Sequence, residues 1–174
     1  MNTDYTVSEY FTLPSKGRVY KELIDPQIKI RSMNCLDEMK RLSPSENQYQ
    51  NLCSVLDGCL VEKPNLSTYD MCIGDYQFIL YKLREVTYGS EYTGEALCPY
   101  CQSQTSGKFN MDDLPIKEWS EDVVNLQEFE LPITKKKIRI KMTTPRMLDQ
   151  RAQKLKSNRS KKTGLNLTLM FSIE

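Results

Sequence analysis

Apolar and polar positions recur with two different periods along this chain, and the switches between them mark its elements. In residues 75–88 apolar side chains fall at Tyr76, Ile79, Leu80, Leu83 and Val86. That is the i, i+3, i+4, i+7 spacing of one buried helical face. Gly89 follows where a C-cap glycine is expected, since glycine adopts the left-handed conformation without a Cβ clash. The pattern then changes to two short polar-flanked runs, residues 95–97 and 108–110, on either side of Cys98-Pro99-Tyr100-Cys101. This predicts a hairpin with a cysteine knuckle at its tip, and the stretch 75–101 organises the rest.

Residues 1–33 read as an extended arm and a first strand. Leu13-Pro14-Ser15-Lys16-Gly17 is a turn: Pro14 presets φ and Gly17 permits positive φ. After Asp25-Pro26, the run 27–33 alternates Ile28 and Ile30 with Lys29 and Arg31, a strand with one wet face. Residues 34–89 read as a helical subdomain. Asn34 is a good N-cap for a short helix carrying Leu36, Met39 and Leu42, with Asp37 and Glu38 in its first turn. A second helix over about 46–61 has Tyr49, Leu52, Cys53, Leu56, Cys59 and Leu60 on one face.

Residues 90–174 hold the knuckle hairpin, an acidic stretch over 112–130, and two strands at 126–131 and 137–142 joined by a turn at 132–136. Pro145 opens a basic helix whose expected buried side is Leu148, Ala152 and Leu155. Residues 157–164 read as a mobile basic loop, and 165–173 alternate like a strand. That run stops at Glu174 without a terminating signal, so either a strand closes a sheet there or the native chain continues. The fold class is α+β: N-terminal helices packed with a zinc-ribbon-like hairpin, a second β-hairpin and a basic C-terminal helix.

Composition narrows the chemistry. The 174 residues are 39% hydrophobic and 27% charged, with a net charge of +1, ordinary for a globular protein. No apolar run approaches the ~20 residues of a membrane span. The N-terminus carries no secretion signal, which points to a reducing cytoplasm. There the six cysteines suggest core thiols or a metal site before disulfides. The chain has no histidine. That removes the commonest general base, the Ser-His and Cys-His nucleophile pairs and mixed Cys/His zinc sites.

Three readings compete for the Cys98–Cys101 tetrapeptide. A redox site needs an amphipathic helix directly after the motif, whose N-terminus lowers the thiolate pKa. Gln102-Ser103-Gln104-Thr105-Ser106-Gly107 offers no such face. A zinc site closed within one chain needs four ligands. Cys98 and Cys101 are half of one, while Cys35, Cys53, Cys59 and Cys72 look like core residues. Sharing a site between two copies is weaker still. The preferred reading is a degenerate knuckle, a tight turn that keeps the ribbon shape without metal.

The basic segment includes Lys135, Lys136, Lys137, Arg139, Arg146, Arg151, Lys154 and Lys156, with Asp149 as its single opposing acid. No aromatic side chain lies between Phe129 and Phe171 for base stacking, so nucleic acid is disfavoured. A solvated face or a surface for complementary subunits remains. The aromatic arm (Tyr5, Tyr10, Phe11, Tyr20) can insert into a neighbour's groove or pack on its own domain.

These landmarks fall in a familiar order. Leu13-Pro14-Ser15 with Gly17 and Tyr20 is followed by Leu36-Asp37-Glu38, then by Asp75, Leu80, Leu83-Arg84 and Tyr88-Gly89. Cys98-Pro99-x-Cys101, Asp112-Asp113-Leu114 and Thr143-Thr144-Pro145 complete the series. The chain resembles, over roughly residues 10–157, the baseplate hub subunit and hub-assembly protein family of T-even-type contractile-tailed bacteriophages. The resemblance implies a non-enzymatic role in building the hub, as structural subunit or assembly factor. Catalytic residues and cofactors are not implied, and zinc at Cys98 and Cys101 stays the alternative. The implied partners are other hub and tail proteins, with self-association open and no membrane. The implied places are the host cytoplasm during assembly and the virion tail baseplate. Candidate interaction residues are Phe11, Leu13, Pro14, Tyr20, Lys135, Lys136, Lys137 and Arg139. A zinc-stabilised interaction module and, behind it, a Cys98-based thiol-disulfide oxidoreductase are the other functions. In relatives the 165–173 run would begin a helix and the chain would extend beyond it, so the resemblance and the periodicity disagree there.

Overall fold

Ile28 and Ile30 are fully buried, while Lys29 and Arg31 are half-exposed, and this alternation fixes the central strand of the body. The computed structural model describes residues 7–20, 24–119, 128–139 and 141–160. Strand β2 (Gln27–Arg31) is flanked antiparallel by β1 (Ser8–Thr12) and β3 (Leu60–Glu62), in the order β1-β2-β3. Three helices follow the arm: α1 (Cys35–Leu42), α2 (Gln48–Cys59) and α3 (Ile73–Tyr88). A hairpin of β4 (Glu91–Leu97) and β5 (Gln104–Asn110), a short hairpin of β6 (Glu128–Glu130) and β7 (Lys137–Arg139), and α4 (Pro145–Ser160) complete the described elements. The fold is α+β, as the two periods require.

The core joins the sheet to α2 and α3. Leu13, Ile28, Ile30, Leu56, Met71, Ile79 and Leu83 are sealed from solvent, with Cys53, Cys59 and Tyr76 beside them. Phe11 of the arm meets Phe78 edge-on at 6.4 Å between ring centroids, and Tyr49 meets Tyr76 at 6.1 Å. Asn34 caps α1 through a capping box with Asp37, and Gly89 ends α3 at φ +86°. The arm therefore packs on its own domain; Tyr5 lies outside the described residues.

Several expectations change. The second helix ends at Cys59, because Leu60 turns into β3 and pairs with Ile30. Cys35 is exposed rather than in the core, and so are Leu36, Met39 and Leu42. The knuckle hairpin is longer than expected: residues 104–107, read as loop, pair with β4. The second hairpin is shorter, with Leu131 and Lys141 outside the strands. Helix α4 continues through Ser160, into the region expected to be loop, and 165–173 lies outside the described residues.

Helix α4 buries the expected face only in part. Leu148 is half-buried, but Ala152 and Leu155 are exposed, while Pro145 and Asp149 are buried. The reason is electrostatic. Helix α2 has no acid in its first turn and no side-chain cap from Asn47. Asp149 supplies both functions from another helix, accepting the backbone N–H groups of Tyr49 (3.3 Å) and Gln50 (2.9 Å) and the Tyr69 hydroxyl (3.2 Å). Arg146 clasps Asp70 with two hydrogen bonds of 2.6 and 2.7 Å and stacks on the Tyr69 ring at 4.5 Å. Each partner stabilises the other's charge, so the Asp70 pKa falls and that of Arg146 rises.

Replacing Asp149 by Ala removes an N-terminal cap and leaves a part-buried hydroxyl unpaired. The expected loss of stability is about 2–3 kcal/mol, read from urea unfolding. A loss below about 0.5 kcal/mol, the range of an ordinary surface substitution, would contradict the cap.

Candidate functional site

Asp75 is fully buried in the first turn of α3, on the same stripe as Ile79 and Leu83. A buried acid is costly unless hydrogen bonds replace its water. Three donors to its carboxylate come from the arm. Ser15 gives its backbone N–H (3.1 Å) and its hydroxyl (2.5 Å), and Tyr20 gives its hydroxyl (2.5 Å). The Tyr20 oxygen in turn accepts the backbone N–H of Cys72 at 3.2 Å, just ahead of the helix. Burial, then the neighbouring Cys72 and Asp75, push the Tyr20 pKa far above the usual phenol range.

The arm's backbone is shaped to deliver these donors. Lys16 N–H bonds to Leu13 O at 2.9 Å across Pro14 and Ser15. Lys16 and Gly17 both have positive φ, +53° and +72°, and Arg18 N–H returns to Ser15 O at 3.2 Å. Gly17 is required twice over: a Cβ there would lie 2.1 Å from the Ile24 carbonyl oxygen. The outer side is held by the segment after the knuckle hairpin. Trp119 N–H reaches Pro14 O at 3.3 Å, and Lys16 pairs with Glu118 at 2.5 Å.

The structure thus brings Leu13, Pro14, Ser15, Gly17 and Tyr20 of one short segment up to Asp75, 60 positions beyond Ser15 and 55 beyond Tyr20. Leu13 and Pro14 are buried and Phe11 and Tyr20 half-buried, so these four candidates serve the interior of the chain's own fold. Lys135, Lys136 and Lys137 stand exposed on the second hairpin, and Arg139 ends its β7. The roles of Asp75 and Asp149 went unread in the sequence. The signal was present in each: one acid on an apolar stripe, and one acid in a basic helix.

The knuckle lies at the far end of the β4–β5 ribbon. Arg84 ties the ribbon's base to α3 by stacking on Tyr92 at 4.7 Å and bonding to Gly89 O at 3.0 Å. At the tip Cys98 N–H bonds to Ser103 O, and Gln102 N–H bonds to Cys98 O, both at 2.9 Å. Gln102 has φ +55°. The motif leads into β5, so the helix that a redox site requires is replaced by a strand. The core thiols are pushed up by burial, Cys53 to about 12 and Cys59 to about 11. Hydrogen bonds from Ser103, side chain first and then backbone, with Cys98 next, draw the exposed Cys101 thiol down to about 7. The redox reading relies instead on Cys98 as the nucleophile. Among the described residues, three or more metal-ligand side chains nowhere cluster.

The sequence profile of the T4 bacteriophage base plate protein family matches residues 6–173. The chain belongs to this family. It is a T4-type phage baseplate protein, and the family points to the virion tail baseplate and to other baseplate proteins as its partners. The match spans the arm, the Asp75 latch, the knuckle and α4 together. No curated protein and no solved structure matches the chain. Among the described residues of this baseplate protein, no helix is long and apolar enough to cross a membrane.

Two outcomes are expected. Asp75→Ala leaves three donors without their acceptor and should cost at least about 3 kcal/mol in urea unfolding. Tyr20→Phe, which removes a single hydroxyl, should cost about 1–2 kcal/mol. Equal, small losses would mean that the latch is not what holds the arm. In metal-free, reduced protein, alkylation of Cys101 should rise with pH through about 7 and then level off. Cys53 and Cys59 should stay unreactive over that range, and a Cys101 rate still climbing at pH ~9 would contradict the assignment.

Proposed function

We propose that this baseplate protein is a non-enzymatic component of the hub, or a factor that assembles it, working by protein–protein binding. The observation that carries this reading is where the exposed charge sits. Ser15 and Tyr20 of the arm and the first-turn amides of α2 are consumed internally, by Asp75 and Asp149. Exposed basic side chains gather on the second hairpin and α4, at Lys135, Lys136, Lys137, Arg151, Lys154 and Lys156. Exposed acids stand at Asp112, Asp113 and Glu118, with Asp112 paired to Lys82 and Glu118 to Lys16, and on the basic hairpin Glu130 reaches Lys135 at 3.8 Å. Segregated charge of this kind steers encounter and fixes orientation between subunits more than it adds raw affinity. With Phe11, Leu13, Pro14 and Tyr20 committed to the fold, the lysines of the second hairpin are the better candidates for a partner surface.

The test is affinity capture of the tagged chain from phage-infected cells, with mass spectrometry of the eluate and of purified particles. Hub proteins in the eluate are expected, and they should be lost when Lys135, Lys136 and Lys137 are all changed to Glu. Peptides of this chain in particles would make it a structural subunit; their absence would make it an assembly factor. An eluate without tail proteins would overturn the proposal.

A further inference from the structure

The β4–β5 ribbon has almost no core of its own. Every residue of both strands is exposed except Gly94, which is half-exposed. An isolated two-stranded hairpin is marginally stable in water. Its base is tied down by Arg84, but nothing described in this chain covers its tip. There Cys101 is exposed and Cys98 half-exposed, and the Cys101 sulfur lies 3.0 Å from the Ser103 hydroxyl. The turn that presents them is closed by its own backbone hydrogen bonds, Cys98 N–H to Ser103 O and Gln102 N–H to Cys98 O. Both cysteines therefore belong to one closed turn at the free end of the ribbon. Leu97 is 69% and Tyr100 95% exposed, so the pair is framed by apolar surface.

A tetrahedral thiolate site needs four sulfurs, and a third ligand is not found within reach among the described residues. We propose that the knuckle is half of a shared zinc site, completed by the same two cysteines of a second copy of this chain. Four thiols lose their protons to solvent as one Zn²⁺ binds, and four Zn–S bonds form with no change of oxidation state. The two ribbons would meet tip to tip, and Leu97 and Tyr100 of each copy would cover the other's. The metal would supply what the ribbon lacks, a fixed point at its free end. This inference does not rest on the hub reading.

The full chain is purified under reducing conditions without chelator. Metal content is measured by plasma mass spectrometry and molecular mass by light scattering. The expected result is a dimer with about one zinc per two chains. Chelator should convert it to a zinc-free monomer, and added zinc should restore it. Cobalt in place of zinc should show the intense thiolate-to-metal absorption of a four-sulfur site. Cys98→Ser and Cys101→Ser should each be monomeric and zinc-free with unchanged far-ultraviolet circular dichroism; should either fail to fold, the chelator and cobalt results decide alone. A zinc-free monomer would overturn the proposal. So would a monomer with one zinc per chain, a dimer that survives chelator, or a Cys98–Cys101 disulfide in the fresh protein.

Discussion

An acid with no access to water governs how this chain closes. Asp75 sits in the first turn of α3, where the helix's unpaired amides favour negative charge. That alone does not replace lost hydration, and three donors from the arm do so. The arm must fold back, and its turn must be tight enough for Ser15 and Tyr20 to reach one side chain. Gly17 follows from this requirement, because the turn passes so close to Ile24 that a side chain has no room. A segment that reads as an extended arm is thereby made part of the core, with Leu13 sealed beneath it.

The same device recurs at α2. Asp149 is a buried acid whose partners are the amides of another helix, reinforced by Arg146 on Asp70. The two acids fix the arm on α3 and α4 on α2 by polar contacts, which at the arm add to the apolar packing of Leu13 and Phe11. Helix α4 can therefore stay basic and exposed along most of its length. Helix α1 goes further: Leu36, Met39 and Leu42 form an apolar stripe that the described chain leaves open. Apolar side chains are thus found outside, and acids inside, at the joints that define the architecture.

That inversion explains what the sequence could and could not reveal. Period and punctuation were enough for β2, for α3 and its Gly89 cap, for the Asn34 cap of α1 and for the knuckle hairpin. All of these are set by neighbours within a few residues. Helix α4 is legible, and so is its half-buried Leu148, but apolar spacing points also to Ala152 and Leu155, whereas a cap on a distant helix selects Asp149. The end of α2 was overrun because Leu60 suits a helical stripe and a sheet edge equally well, and pairing with Ile30 decides between them. The landmarks behind the family resemblance were legible as a series. That Ser15, Tyr20 and Asp75 touch is a tertiary fact, carried only by the oddity of an acid on an apolar stripe.

The Asp149 cap also bears on the order in which the chain becomes whole. Tyr49 and Asp149 are separated by 100 positions, whereas Ser15 and Asp75 are separated by 60. A chain emerging from a ribosome has everything needed for the arm latch long before α4 exists. Until α4 arrives, the first turn of α2 has free amides and the Tyr69 hydroxyl has no acceptor. A product cut short before Pro145 would have every residue of the latch and the ribbon but not the acid that caps α2.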